Sequence, residues 1–180
     1  MIRNYPECVN EMGTAYEVKK AVESGKLYRI EKGVYADTPS ISTLAVITTK
    51  YPNAIITLDT AFYYHNLTDV IPEHYYLATR SSARGIRDKR VKQIFIKDDF
   101  LNQGVVTMKR RDAEFKVYDR ERMLIELIRF KNKLPYDYYK EILNNYRSLL
   151  YELDIERVQE YAATFPKSKT ITEILDREVF

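Results

Sequence analysis

The chain has 180 residues, of which 45% are hydrophobic and 31% are charged. These proportions are typical of a globular protein with a core, and they exclude a low-complexity or fibrous chain. The formal net charge of +3 permits nucleic-acid binding without requiring it. The single cysteine, Cys8, excludes an intramolecular disulfide and a zinc site built from cysteines. No apolar run reaches the roughly 20 residues of a membrane span, so we expect a cytoplasmic protein with no membrane partner.

Two short helices are predicted near the start of the chain. The first begins at Tyr5-Pro6, because proline favours the first turn of a helix. The second spans residues 15–24. Thr14 and Glu17 have the spacing of a capping box at its start, and Gly25 follows where a left-handed C-terminal cap is expected.

The hydrophobic pattern changes to a period of two over residues 26–35, which have the sequence K-L-Y-R-I-E-K-G-V-Y. A turn containing Gly33 separates two short alternating runs, and this pattern predicts a β-hairpin. A helix followed by a basic hairpin is the second half of a winged helix. We therefore expect an abbreviated winged-helix DNA-binding domain over residues 1–36.

Five cations of this domain are candidate DNA-binding residues. In a winged helix, the second helix lies in the major groove while cations of the helix and hairpin approach phosphates. The candidates are Lys19, Lys20, Lys26, Arg29 and Lys32. Glu17, Glu23 and Glu31 lie in the same segment and nearly balance its charge, so a plain surface element stays an alternative.

A second domain is predicted over residues 40–180, after a linker that contains Pro39. Strands in its middle are followed by helices, so the fold class is α/β, of the α+β type, with a helical C-terminal portion. Tyr138, Ile142 and Tyr146 form a stripe in that portion, and this spacing predicts helix packing. The predicted elements are a helix from Ser40 or Ser42 to about Tyr51, a strand over 54–58, a helix capped by Asp59, strands over 75–79, 91–97, 104–108 and 114–118, and helices over 120–131, 137–152, 155–164 and 171–179.

The densest group of cations lies in residues 80–92, here called the basic segment. It is predicted to be a loop between two strands, with Asp88 as its only acid. A solvated loop is one interpretation, and a surface for nucleic acid or for an acidic partner is the other. The six cations are Arg80, Arg84, Arg87, Lys89, Arg90 and Lys92.

An enzyme alternative is a magnesium-dependent nuclease. Asp98 or Asp99 at a predicted strand end, followed by Glu114 and Lys116 on a later strand, has the order of carboxylates and lysine used to hold Mg²⁺ and orient water. The spacing is loose, and alternation on an exposed strand explains the last two equally well. The chain has only two histidines as candidate metal ligands and only five glycines from which a nucleotide-binding loop could be built. We therefore expect no catalytic residue, no metal and no cofactor.

Three stretches occur in a fixed order along the chain: V-E-S-G-K-L-Y-R-I-E-K-G-V-Y at 22–35, I-T-L-D-T-A-F-Y-Y-H-N-L at 56–67, and D-R-E-R-M-L-I-E-L-I-R at 119–129. The first resembles the end of the N-terminal winged helix of AbiEi-family antitoxins. The second is similar to that family's S-x-x-T-A-L-x-x-H-G-L, and the third to its x-x-E-R-T-L-x-D-L-L-R. The order and spacing of the three stretches carry the resemblance.

The resemblance implies a transcriptional repressor from a type IV toxin-antitoxin module, of the kind that acts in abortive infection as phage defence. Its first part would bind operator DNA, and its second would engage or oppose a nucleotidyltransferase-like toxin. Family members have a full helix-turn-helix before the wing, whereas this chain has room for two short helices. We therefore expect a homodimer or a partner to supplement DNA binding. A protein-interaction module without DNA binding stays an alternative.

Overall fold

The computed structural model describes residues 1–180 and confirms the α+β class, with nine helices and eight strands. The helices are α1 (Tyr5–Met12), α2 (Ala15–Glu23), α3 (Thr43–Lys50), α4 (Leu58–Tyr64), α5 (Asp98–Leu101), α6 (Arg120–Phe130), α7 (Tyr136–Ser148), α8 (Ile155–Thr164) and α9 (Ser168–Glu178). The strands are β1 (Ile2–Asn4), β2 (Tyr28–Glu31), β3 (Val34–Ala36), β4 (Ile55–Ile56), β5 (Tyr75–Arg80), β6 (Val91–Ile96), β7 (Val105–Arg110) and β8 (Ala113–Tyr118). Short 3₁₀ helices follow α6 and α7.

The chain forms two compact units. The N-terminal unit comprises residues 1–54 together with 107–115, and the C-terminal unit comprises residues 55–106 together with 116–180. Each unit has its own helices and buried side chains, and each is described separately below.

The N-terminal unit begins with a β-α-α-β-β sequence of elements. Its three strands form an antiparallel sheet in the order β1-β3-β2. The predicted second helix and hairpin are both present, and β1 adds a strand that the sequence patterns did not indicate. This is the element order of a winged helix with one helix fewer than usual.

Local signals in the sequence account for the ends of α1 and α2. Asn4 caps α1 by accepting a hydrogen bond from Glu7 N at 3.0 Å, while the Glu7 carboxylate accepts one from Asn4 N at 2.8 Å. Thr14 caps α2 by accepting a hydrogen bond from Glu17 N at 3.2 Å, but the reciprocal bond of the predicted capping box is not formed. Gly25 ends α2 with a φ of +72°, a left-handed conformation that glycine adopts without a steric penalty.

A small hydrophobic core holds these elements together. Cys8 of α1, Val18 of α2, Leu27 and Tyr35 are buried against one another, with apolar side chains of both helices packed around them. The thiol of Cys8 is therefore a core group, and burial raises its pKa.

The N-terminal unit extends beyond residue 36, where the winged-helix domain was predicted to end. α3 packs against β1 and β3. Ser42 caps α3 through Ala45 N at 3.1 Å, and its own backbone N–H donates to the Asp112 carboxylate at 2.8 Å. Residues 1–36 thus share their unit with α3 and with residues 107–115. An independent winged-helix domain stays a prediction.

A five-stranded sheet runs in the order β6-β5-β4-β8-β7. β4 pairs antiparallel with β5 and parallel with β8. The predicted strand over 54–58 is shortened to Ile55 and Ile56, and both side chains are buried. The predicted cap of the next helix is wrong: α4 begins at Leu58, with Thr57 in the N-cap position, and Asp59 lies within the first turn.

Two neighbouring strands of this sheet are parallel although no helix connects them. β5 and β6 pair from Tyr75 with Val91 to Arg80 with Ile96. The connection, residues 81–90, must therefore run back along the sheet by the length of a strand, roughly 20 Å. Parallel pairs usually need a crossover of a dozen or more residues, most often a helix. Here the connection is the central part of the basic segment.

The helical part of the C-terminal unit packs around α6. Met123, Leu124 and Leu127 of α6 are fully buried. The stripe predicted on α7 does pack: Ile142 and Tyr146 are fully buried, and the Tyr146 hydroxyl donates to the carbonyl of Arg120 at 2.8 Å. The predicted C-terminal helix begins three residues earlier than expected, at Ser168.

A buried ion network lies on the same helix. Arg122 is fully buried, and its guanidinium donates to Glu126 Oε1 at 3.0 and 2.7 Å. The Nη1 group donates to the carbonyls of Phe100 and Gln103. The rings of Tyr118 and Phe165 lie over the guanidinium, with centroids 4.4 and 4.3 Å from its carbon. Arg122 and Glu126 of the 119–129 stretch therefore belong to the core.

Glu178 of α9 makes a pH-dependent contribution to this helical part. Its carboxylate accepts hydrogen bonds from Lys131 Nζ at 2.5 Å and from the Tyr139 hydroxyl at 2.8 Å. Burial alone would raise its pKa, but hydrogen bonds from Lys131, Tyr139 and Arg177 outweigh burial and lower the pKa to about 2. Because this pKa lies below the unfolded value of 4.5, the stabilisation is full above roughly pH 4.5 and is lost as the pH falls towards 2.

Replacing Glu178 by glutamine should lower the free energy of unfolding by about 1–3 kcal/mol at pH 7. The difference from the parent chain should shrink between pH 4.5 and pH 2, because the parent carboxylate is then being protonated. Urea unfolding at pH 7, 4 and 3 measures this change, with exposed Asp176→Asn as the control. A difference that stays constant over this range would contradict the assignment.

Candidate nucleic-acid interface

The five candidate DNA-binding cations all lie on the surface of α2, the following loop and the β2–β3 hairpin. Lys19 approaches Glu23 at 3.7 Å, but both side chains are exposed, and such pairs contribute little to stability. The other four candidates have no ion-pair partner within the chain. They are Lys20, Lys26, Arg29 and Lys32.

The hairpin is more basic than its sequence suggests. Glu31, which counted against its positive charge, forms an ion pair with Lys50 of α3 at 2.8 Å. Because Lys50 neutralises Glu31 in this pair, the Glu31 carboxylate does not offset the positive charge of Arg29 or Lys32. A residue outside the predicted domain thus changes the electrostatics of the predicted interface.

A cavity of about 410 Å³ brings two of the candidates together. Lys19 of α2 and Arg29 of β2 both line it, above a floor that includes Val18, Val22 and Tyr35. The helix and the hairpin therefore place these two cations at one surface depression. Lys20, Lys26 and Lys32 do not line this cavity.

Arg3 shows that a cation on the hairpin sheet is not automatically available to DNA. Arg3 of β1 lies opposite Tyr35 of β3 in the sheet, and Arg29 of β2 lies opposite Tyr35 on the other side of β3. However, the Arg3 guanidinium donates to both oxygens of Asp37, at 2.8 and 3.3 Å, and lies 2.7 Å from Glu11. Hydrogen bonds from the N-terminal amine and from Arg3 lower the pKa of Asp37. Arg3 is thus committed within the unit.

Tyr16 is a surface residue that the sequence patterns did not single out. It lies in the first turn of α2 and is 69% exposed, whereas Val18 faces the core. In helix-turn-helix proteins, the N-terminal residues of the recognition helix contact base edges. The signal in the sequence was an aromatic residue at a position of α2 that does not face the core.

The basic segment of the C-terminal unit divides into two groups of cations. Arg90 forms two hydrogen bonds with Asp88, at 2.9 and 2.7 Å, and so uses the only acid of the segment. Lys92 lies over the ring of Tyr76, 5.6 Å from its centroid. The remaining cations are exposed and have no ion-pair partner in the chain. They are Arg80, Arg84, Arg87 and Lys89.

Gln93 fixes the path of the basic segment. Its Oε1 accepts a hydrogen bond from Ile86 N at 2.7 Å, and its Nε2 donates to Thr79 Oγ1 at 2.7 Å and to the Arg84 carbonyl at 3.1 Å. One side chain of β6 therefore binds the segment at two points. The exposed arginines project from a backbone that is anchored to the sheet.

The structure provides no cluster for the nuclease alternative. Asp98 and Asp99 are exposed in the short helix α5, where a strand end was predicted. Glu114 and Lys116 alternate with buried residues of β8, as on any half-buried strand. No group of three or more His, Cys, Asp or Glu side chains is arranged to hold a metal ion. The alternative stays a hypothesis without structural support.

A buried polar cluster in the C-terminal unit was not predicted. Asp59 of α4 interacts with the hydroxyls of Tyr76 and Tyr138, and burial raises its pKa more than these groups and Lys92 lower it. Burial and the nearby Asp59 raise the pKa of Tyr76 to about 12. Asp59 Oδ1 and the Tyr138 hydroxyl are buried without a well-formed hydrogen bond. The signal in the sequence was an aspartate within an otherwise apolar stretch.

The histidine of the 56–67 stretch has a structural role. His65 is buried, and its Nε2 lies 2.6 Å from the carbonyl oxygen of Tyr118, to which it donates. Asn66, which follows it at the end of α4, has a left-handed φ of +58°. Asparagine tolerates this conformation better than most residues, so it can end the helix here.

Comparisons with known proteins add no identification. No family model matches the chain, and no curated protein is similar to it at a significant level. None of the nine helices combines the length and the apolar character that crossing a membrane requires.

Proposed function

We propose that this protein binds operator DNA and acts as the antitoxin and transcriptional repressor of a type IV toxin-antitoxin module. One observation carries the proposal. A two-helix element followed directly by a hairpin exposes cations on its second helix and hairpin, and four of these cations have no ion-pair partner in the chain. The ordered resemblance of three sequence stretches to AbiEi-family antitoxins supports it.

In this proposal, α2 enters the major groove and the hairpin lies along the adjacent backbone. The exposed Tyr16 and Lys20 face base edges, while Lys26, Arg29 and Lys32 meet phosphates. Phosphate contacts supply affinity and orientation, and contacts to base edges supply sequence preference. The ion pair between Glu31 and Lys50 supports this division, because it removes an acid from the phosphate-facing hairpin.

The DNA-binding element, α1 and α2 with the hairpin, is small, and its size indicates that the protein needs partners. One short recognition helix offers few base contacts, so two copies on a two-fold symmetric operator would double them. We therefore propose a homodimer on DNA and a nucleotidyltransferase-like toxin as the protein whose activity the chain opposes. The C-terminal unit, with its basic segment, is the candidate region for that second role.

The test is a change of three hairpin-region cations to serine: Lys26→Ser, Arg29→Ser and Lys32→Ser in one chain. Binding to the protein's own promoter should weaken, because each lost phosphate contact leaves about one counterion unreleased. The slope of log K against log salt should fall in magnitude by about 2–3. Fluorescence anisotropy at several salt concentrations measures both quantities.

A matched control replaces three exposed cations far along the chain, Arg157, Lys167 and Lys169, by serine. It should leave the salt slope unchanged. Equal binding by the hairpin variant and the parent chain would contradict the proposal and favour a protein-interaction module. Magnesium-dependent cleavage of the promoter that disappears in Glu114→Ala would instead favour the nuclease alternative.

A further inference from the structure

β6 is an edge strand with an unused pairing side. In the five-stranded sheet it pairs only with β5. Its sequence, V-K-Q-I-F-I, is rich in β-branched and aromatic residues and contains no proline. Phe95 in this strand is 53% exposed. An exposed edge presents backbone N–H and C=O groups to which another strand can add.

The basic segment lies on the same face of the sheet as Phe95. Side chains two residues apart in a strand point to the same face, so Gln93 and Phe95 share a face of β6. Gln93 binds the backbone of the basic segment at Arg84 and Ile86. An unpaired strand edge, an exposed aromatic side chain and an anchored row of cations are therefore adjacent.

Charge decides which occupant fits this surface. Four cations of the basic segment, Arg80, Arg84, Arg87 and Lys89, are exposed without ion-pair partners. Pairing β6 with β6 of a second copy would bring two such segments together, and the repulsion opposes that arrangement. Nucleic acid could neutralise the cations, but it cannot pair with the strand edge as another backbone does. An acidic peptide in an extended conformation meets all three features.

We propose that β6 and the basic segment form a docking surface for an extended, acidic segment of a partner protein. The segment adds to the sheet as a strand beside β6, and its backbone supplies the hydrogen bonds. On the face that carries Phe95 and the basic segment, an apolar side chain of the peptide contacts Phe95 and acidic side chains meet Arg84 and Arg87. This surface does not involve the hairpin cations.

The probe is a fluorescein-labelled peptide of sequence V-S-E-S-E-S-E-S-V, whose valine and glutamate side chains share one face when the peptide is extended. It is titrated with the full-length protein in an anisotropy assay. The triple variant Arg84→Ser, Arg87→Ser and Lys89→Ser should weaken binding about tenfold or more at low salt, because each exposed charge pair contributes modestly. Phe95→Ala should weaken it about threefold or more through lost apolar contact. The variant with Lys26, Arg29 and Lys32 replaced by serine is the matched control and should bind the peptide as the parent chain does.

A second probe needs no variant of the protein. Methylation of alternate backbone nitrogens on one edge of the same peptide keeps its charge and side chains but removes hydrogen-bond donors. It should weaken binding about tenfold if the peptide pairs with β6 through that edge, and methylation of the opposite edge should weaken it much less. No measurable binding of the unmodified peptide, or equal binding of all three peptides, would overturn the proposal. Promoter binding that depends on Arg84, Arg87 and Lys89 while the peptide does not bind would show a nucleic-acid surface instead.

Discussion

Replacing Arg122 by alanine is expected to lower the free energy of unfolding by about 3–5 kcal/mol, as breaking a buried ion pair does. Arg122 is fully buried, and its removal takes the hydrogen-bond donor away from the carbonyls of Phe100 and Gln103. Arg129 still donates to Glu126, but the carboxylate loses its closest buried partner. The side chain also fills the space between two aromatic rings, so the variant leaves a cavity. Urea unfolding followed by circular dichroism measures the loss.

Arg120→Ala on the same helix is the matched control for this prediction. Arg120 pairs with Glu152 at 3.0 Å, but the Glu152 side chain is 61% exposed. We therefore expect less than about 1 kcal/mol of destabilisation. A double variant, Arg122→Leu with Glu126→Leu, should cost less than the sum of the two single changes, since no buried charge is left unpaired. Equal losses for Arg122→Ala and Arg120→Ala would show that burial of Arg122 contributes little.

The change of Gly104 to alanine is expected to destabilise the C-terminal unit by about 2–4 kcal/mol. A Cβ atom on Gly104 would lie 2.7 Å from Arg122 Cβ and 3.1 Å from Asp119 Oδ1. Its φ of +75° adds strain for any residue with a Cβ atom. The clash is with the first carbon of a buried side chain, which cannot move without displacing the ion network. Thermal unfolding measures the effect.

Gly33→Ala separates the two causes of that loss. Gly33 has a φ of +83°, but no atom lies within 4 Å of a Cβ built there. The variant should therefore suffer only the backbone strain, about 1–2 kcal/mol. Losses of similar size at Gly33 and Gly104 would mean that the close approach to Arg122 is relieved by small movements.

Features decided by neighbouring residues could be predicted from the sequence. The caps at Thr14 and Ser42, and the left-handed turn at Gly25, are all found. Such signals act within four or five residues and depend little on the rest of the chain. They established the two short helices, the hairpin and most of the later elements, and hence the α+β class.

Features decided by distant residues could not be predicted in this way. Strand order is one example, because β1 lies beside β3 only once the helices have turned the chain back. The start of α4 is another: Asp59 has the right residue type for a cap, but it is half-buried beside Tyr76 and Tyr138 within the first turn instead. Arg122 had the appearance of a surface residue, since few arginines are fully buried.

The sequence predicts which cations belong to the candidate interface, but it does not predict which acids neutralise them. The exposure of all five cations follows from the outward-facing spacing of lysines and arginines on α2 and the hairpin. That Glu31 is paired with Lys50 and Asp88 with Arg90 depends on which side chains meet in space. These two pairs determine how much positive charge remains available, and a count of charges along the sequence treats every acid alike.

The hydrogen bond from Ser42 to Asp112 has a consequence for protein synthesis. Residues 1–54 are synthesised before residues 107–115, which belong to the same unit but follow about 55 codons later. At about 5–20 residues per second, residues 1–54 wait roughly 3–11 seconds for the last segment of their unit. During that interval, its short helices and hairpin are exposed to chaperones and proteases in an unfinished state. Codon choice between residues 54 and 107 can therefore alter the yield of folded protein without changing any amino acid.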